Sequence, residues 1–95
     1  MADLELRHNA GAFRYEAWEG SELVSQIDYF VEGDVLTITH TGTPPRHRHR
    51  GLASQLTGFT LEDLRASGRK VLPLCPFTAS YITDHPQYKD LVSRS

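Results

Sequence analysis

The sequence predicts a small α+β domain in which antiparallel hairpins run into one βαβ unit. Three observations carry that reading. Polar and apolar residues alternate from Phe13 to Thr41, the pattern of half-buried strands. From about Arg50 the period becomes helical, with Leu52, Leu56 and Phe59 at i, i+4 and i+7 and with Ala53 and Leu64 near the same stripe. A short apolar segment, Val71–Cys75, follows. The strand Val35–Thr41, the helix and Val71–Cys75 then make a βαβ unit with parallel strands and a right-handed crossover.

Each element has a local reason. Leu4–His8 reads as a weak first strand. Phe13, Tyr15 and Ala17 alternate with Arg14 and Glu16, and Glu19-Gly20-Ser21-Glu22 is a turn. Leu23, Ile27, Tyr29 and Val31 share a face, with Gln26 and Asp28 on the other, and Glu32-Gly33-Asp34 is a second tight turn. On Val35–Thr41, Leu36, Ile38 and His40 face one way and Val35, Thr37, Thr39 and Thr41 the other. Gly58 weakens the helix by about 1 kcal/mol relative to alanine, so something else must hold it. Gly68 suits the residue just past its end, and Arg69-Lys70 suit its negative pole. Pro73 cannot donate to a ladder, so the last strand is expected to be bulged or unpaired on one side. Thr78 is expected to cap a short helix through Ser80, Tyr81 and Ile82, with His85 at its end before Pro86, and Tyr88–Val92 to pack back as a last turn.

Totals narrow the function. The chain has 95 residues, read as one domain over 1–95, with 10 Lys+Arg against 12 Asp+Glu for a net charge of −2. That balance disfavours a nucleic-acid partner, because duplex binders show a basic excess or face. Three arginines fall within Arg46–Arg50, a patch suited to a small anion. The only cysteine is Cys75, which excludes an intramolecular disulfide. The start, Met1-Ala2-Asp3-Leu4-Glu5, has neither a basic opening nor a long apolar run, and no segment approaches the ~18 apolar residues of a membrane span. A cytoplasmic protein with no membrane partner is expected. His40, His47, His49 and His85 with Cys75 invite a metal reading, but their spacing and the surrounding arginines argue against one.

The segment that carries chemistry is Thr43–Ser54, which joins a strand to a helix start. A helix start presents four unpaired N–H groups and the positive end of the macrodipole, so it binds phosphate without any particular side chain. Gly51 lets an anion approach the backbone, Ala53 is small for the same reason, and the arginines add charge. The alternative is that Gly51 only eases a turn and the arginines are solvated.

Arg48-x-x-Gly51-x-Ala53, after a strand and opening a helix, resembles the pyrophosphate-binding motif of the GNAT superfamily of N-acetyltransferases. A closer resemblance is to a group of very short GNAT-like proteins of about a hundred residues. The strings that carry it are His40-Thr41, Pro44-Pro45, Lys70-Val71, Pro73-x-Cys75-Pro76-Phe77, Tyr81-Ile82 and His85-Pro86-x-Tyr88, in matching order over about half the chain. The resemblance implies a minimal GNAT-like fold with splayed parallel strands, acetyl-CoA as cosubstrate, no metal and an amine acceptor, protein or small molecule. It implies a coenzyme site at Pro45, Arg46, His47, Arg48, His49, Arg50, Gly51, Leu52, Ala53 and Ser54, with Phe77 and Tyr81. The family usually places a second glycine where this chain has His49. For His49 to donate its N–H into the loop, its φ and ψ have to stay ordinary.

Transfer of an acetyl group to an amine needs a base, an oxyanion donor, an acid for the leaving thiolate and alignment. In GNAT-like enzymes a tyrosine after the second strand commonly serves the thiolate, which points to Tyr81; packing alone is the alternative. Cys75 ends the strand beside the expected thioester, as a lining residue or, less favoured, an acyl carrier. His40 has the intrinsic pKa of a general base. The competing function is a coenzyme A-binding module without turnover.

Overall fold

The computed structural model describes residues 3–93, so the Met1-Ala2 opening lies outside it. Five strands form one mixed sheet in the order β1-β2-β3-β4-β5: β1 (Leu4–Asn9), β2 (Arg14–Glu19), β3 (Glu22–Glu32), β4 (Val35–Gly42) and β5 (Lys70–Pro73). The first three pairings are antiparallel and β4–β5 is parallel. Helix α1 (Leu52–Ser67) connects β4 to β5, and α2 (Pro76–Asp84) follows. Short 3-10 turns cover Ala10–Ala12, Pro45–His47 and Pro86–Leu91.

Both hairpin turns stand where the glycines put them, with Gly20 and Gly33 at positive φ. The core lies between one sheet face and α1. It is built from Tyr15, Ala17, Ile27, Leu36 and Ile38 on the strands and Leu56, Leu61 and Leu64 on the helix, all closed to solvent. Truncating any of these leucines to alanine removes about 2–5 kcal/mol, the cost of a core cavity. Helix α1 ends as expected: Gly68 sits at φ 71, and its N–H and that of Arg69 return to Leu64 and Arg65 carbonyls.

Four expectations are corrected. Phe13 does not belong to β2. It lies at φ 55 behind the 3-10 turn, where Asn9 Oδ1 accepts the Ala12 N–H and bends the chain before the strand begins. Thr78 does not cap α2. Cys75 is the N-cap residue with Pro76 at the first helical position, because a proline loses nothing where the N–H is unpaired anyway. The last strand stops at Pro73: Leu74 and Cys75 both donate their N–H to the Ile38 carbonyl, 3.1 Å each, and the chain turns away.

The fourth correction concerns β4. From the turn the pairing runs Glu32↔Val35 to Tyr29↔Ile38, then jumps to Asp28↔His40 and Ile27↔Thr41. Thr39 is therefore the extra residue of a β-bulge, which turns every later side chain to the other face. His40 joins Asp28 on the face away from α1, and Thr41 joins Ile27 on the α1 side. Beyond Ile38, β4 has no β5 partner. Its backbone from Thr39 to Gly42 is open on that side.

Candidate active site

The open stretch of β4, the loop after it and the start of α1 surround a cleft of about 790 Å³. Of the residues expected at a coenzyme, His47, Arg48, His49, Gly51, Leu52, Ala53, Ser54 and Phe77 line it, and so does His40. Pro45, Arg46, Arg50, Cys75 and Tyr81 do not.

The loop is wound tightly. Pro44 O accepts the His47 N–H at 2.9 Å and Pro45 O the Arg48 N–H at 3.2 Å. His49 then lies at φ 67 and Gly51 at φ 74, both left-handed. The ordinary φ that would let His49 donate its N–H into the loop is therefore not found; the chain bends there as the family's usual glycine would, and the histidine carries the strain. No side chain caps the first amides of α1. Their polar demand is left to whatever enters the cleft.

The three arginines divide. Arg46 bonds Glu22, and Arg50 forks onto Glu19. His47 lies between them, buried. Arg50 donates to its Nδ1 at 2.8 Å, so Nε2 carries the proton and donates to Glu22 at 2.8 Å. The Glu22 carboxyl is held below its ordinary range, first by that His47 hydrogen bond. These contacts staple the loop to the β2–β3 turn. Arg48 is tied only through Nε to the Thr43 carbonyl at 3.3 Å, which leaves its terminal amino groups unbonded among the described residues. It is the arginine available to a ligand.

Cys75 stands one layer behind the cleft wall. It is 7 % exposed, and its thiol meets the Thr41 hydroxyl at 3.5 Å. Burial pushes its pKa up, but hydrogen bonds from Thr41 and from the Thr78 and Phe77 amides at the start of α2 outweigh it, and the thiol lies below its ordinary value. Tyr81 is half-buried and stacks on His85, ring centroids 3.9 Å apart; His85 Nδ1 donates to the Tyr81 carbonyl at 2.8 Å. Burial and then the charge of Glu62 raise the Tyr81 pKa, which keeps its proton in place at neutral pH.

The Tyr81 hydroxyl lies against Gly58 of α1, where an added Cβ would come within 2.9 Å of it. This explains the glycine inside a helix: it makes room for a phenol. Gly58→Ala is expected to fold with unchanged or higher thermal stability, since alanine favours the helix, yet to displace the hydroxyl and lower turnover about tenfold or more. Melting curves and steady-state rates on the same preparation check both halves.

Two groups of site residues escaped the sequence reading. Asp28 reaches His40 Nδ1 at 3.3 Å, with Gln26 donating to Asp28 at 3.1 Å. A straight hairpin would have paired Asp28 with Thr39, so only the bulge makes this dyad. Glu19 and Glu22 had a signal, two acids flanking a turn in a chain whose basic residues cluster elsewhere. Among the described residues no group of three or more His, Cys, Asp or Glu is placed to hold a metal ion, and no helix is long and apolar enough to cross a membrane.

A parallel pair that parts at Ile38, opening onto a loop and an uncapped helix start, is the arrangement the GNAT resemblance implied. The family model of the GCN5-related N-acetyltransferases matches residues 14–91. The chain belongs to this family. In fold it is similar to a GCN5-like protein from Staphylococcus aureus, with TM-score 0.74 and 22% identity over 98% of this chain and 91% of that one. It is also similar to the ribosomal-protein-S18-alanine N-acetyltransferase from Escherichia coli, with TM-score 0.63 and 14% identity over 80% of this chain and 50% of that one. A GNAT-family protein from Desulfovibrio desulfuricans gives TM-score 0.58 and 15% identity over 86% of this chain and 57% of that one. The GNAT chain described here thus spans about half the length of the latter two. No curated protein matches it significantly.

Proposed function

We propose that this GNAT chain transfers the acetyl group of acetyl-CoA to an amine. The observation that carries the reading is the β4 edge from Thr39 to Gly42, paired with β3 but without a β5 partner, opening directly onto the loop at Arg48–Ala53. An anion and an amide-bearing arm, the two parts of a coenzyme A tail, match those two features.

The residues divide the work. Backbone amides from Arg50 to Ala53 and the Arg48 guanidinium hold the pyrophosphate. The free β4 N–H and C=O groups pair with the pantetheine amides, as an added strand would. His40, on the face away from α1, takes a proton from the acceptor amine. Asp28 at its Nδ1 favours the tautomer with Nε2 free to accept. The amine nitrogen bonds the thioester carbon, the C–S bond breaks, and Tyr81 gives its proton to the departing sulfur. The cleft is open, which suits an amine on a protein or on a small molecule.

The test is a titration with coenzyme A, followed by release of free thiol from acetyl-CoA when an amine is supplied. Binding with no thiol release over any amine tried, free amino acids and peptide N-termini included, leaves the non-catalytic coenzyme-binding module as the reading. Binding should also weaken with salt. Because Glu22 and Glu19 already occupy Arg46 and Arg50, the loss between low and moderate ionic strength is expected to stay below about tenfold. An affinity indifferent to salt would mean that Arg48 points away from the ligand.

A further inference from the structure

A second cleft, of about 530 Å³, lies beside the C-terminal half of α1 and shares no lining residue with the first. Phe13, Tyr29 and Val31 give it an apolar wall, and Asp63 and Arg69 bring charge to it.

The fold alone does not account for Phe13. Its φ of 55 is strained for a bulky residue, and the residue is 53 % exposed. Two backbone hydrogen bonds hold it there: Phe13 N–H donates to Ala10 O at 3.2 Å, and Tyr29 N–H donates to Phe13 O at 3.1 Å. A glycine would make both without strain. The phenyl instead stands edge-on to Tyr29, centroids 6.1 Å apart, as one wall of the cleft.

The charges are equally specific. Tyr15 donates its hydroxyl to Asp63 at 2.5 Å, and His8 Nδ1 lies 3.4 Å from the same oxygen. His8 Nε2 meets the Tyr29 hydroxyl at 2.6 Å. Asp63 only accepts, so Nδ1 carries the proton and Tyr29 donates to Nε2. Burial favours the neutral form of this histidine. Arg69 makes no ion pair and no side-chain hydrogen bond among the described residues. Asp63 and Arg69 thus face one cleft as opposite charges that do not bridge each other. An anion alone would meet Asp63, and a cation alone would meet Arg69. A molecule with both charges satisfies the two together.

We infer that this cleft binds a small zwitterion with an apolar body, the chemistry of a free α-amino acid with a branched or aromatic side chain. Its carboxylate goes to Arg69, its ammonium toward Asp63, and its side chain against Phe13, Tyr29 and Val31. The site is separate from the acetyl-transfer cleft and does not rest on the function proposed there.

The test is an NMR titration of the full chain with L-leucine and with its two halves, 4-methylpentanoate and isopentylamine, into the millimolar range, following His8 and Phe13 resonances. Leucine is expected to bind about tenfold or more tightly than either half, the worth of one charge-assisted contact. Arg69→Gln should bring leucine down to the affinity of isopentylamine, and Phe13→Gly should weaken leucine while raising the thermal midpoint by relieving the strained φ. Equal affinity for the three probes, or no shift with any of them, overturns the proposal. A Phe13→Gly midpoint at or below that of the parent chain also overturns it, because the phenyl would then be serving the fold.

Discussion

Gly51→Val is expected to weaken coenzyme A binding about tenfold or more while leaving the chain folded. Gly51 lies at φ 74, and a Cβ built there meets nothing within 4 Å. The added Cβ therefore meets no other segment of the protein. It has two separate costs. A left-handed backbone with a branched side chain costs about 1–2 kcal/mol of stability. The methyl groups also occupy the space through which a phosphate must approach the amides at the start of α1, and each lost hydrogen bond to a charged group is worth about 1.5–3 kcal/mol. Gly33→Val separates the two. Gly33 lies at φ 62, equally open, in the β3–β4 turn far from the loop in sequence. Both variants should melt lower by a similar amount, and only Gly51→Val should lose affinity by calorimetry. Equal coenzyme affinity in the two would remove the pyrophosphate from this loop.

The second large effect separates two chemical routes. With direct attack by the amine, Tyr81→Phe removes the proton donor to the thiolate, and a reduction in kcat of about a hundredfold is expected from the loss of a general acid. Cys75→Ser, nearly the same size, keeps the Thr41 contact and much of the turnover. With transfer through the thiol, Cys75→Ser abolishes turnover while coenzyme binding stays, and the parent chain given acetyl-CoA without acceptor gains one acetyl mass on Cys75. The Cys75 thiol is held below its ordinary pKa by Thr41 and the first α2 amides, which outweigh its burial and favour the second route. Position does: the thiol lies behind Thr41, 7 % exposed, whereas Thr41 lines the cleft. Direct attack is the expected outcome. An acetylated Cys75 that forms and decays at the turnover rate would reverse it.

Gly58 shows how a local rule can be legible while its reason is not. The sequence marks it as a helix-weakening residue on a helix held by something else. The helix is held by Leu56, Leu61 and Leu64 against the sheet, and the reason for the glycine is Tyr81, 23 positions away in the chain, which nothing local to Gly58 names. Arg46, Arg48 and Arg50 show the same limit. Their spacing announces a basic loop, but Glu22 and Glu19 take two of the three, and that follows from the β2–β3 turn folding beside the loop.

The sequence by itself determined the hairpins, the βαβ unit, the position of the loop and the family, because each rests on near-neighbour physics. Alternation sets a strand's face, glycine sets a turn, and a helix start after a strand makes an anion site wherever it occurs. The tertiary structure alone decided which face His40 takes and what it pairs with, and which arginine keeps its terminal amino groups unpaired. Those outcomes hang on one extra residue, Thr39, and on contacts between segments far apart in the chain. A bulge of one residue reverses every later side chain, yet leaves no mark in composition or period, because its cost and its reward are both met in the partner strand.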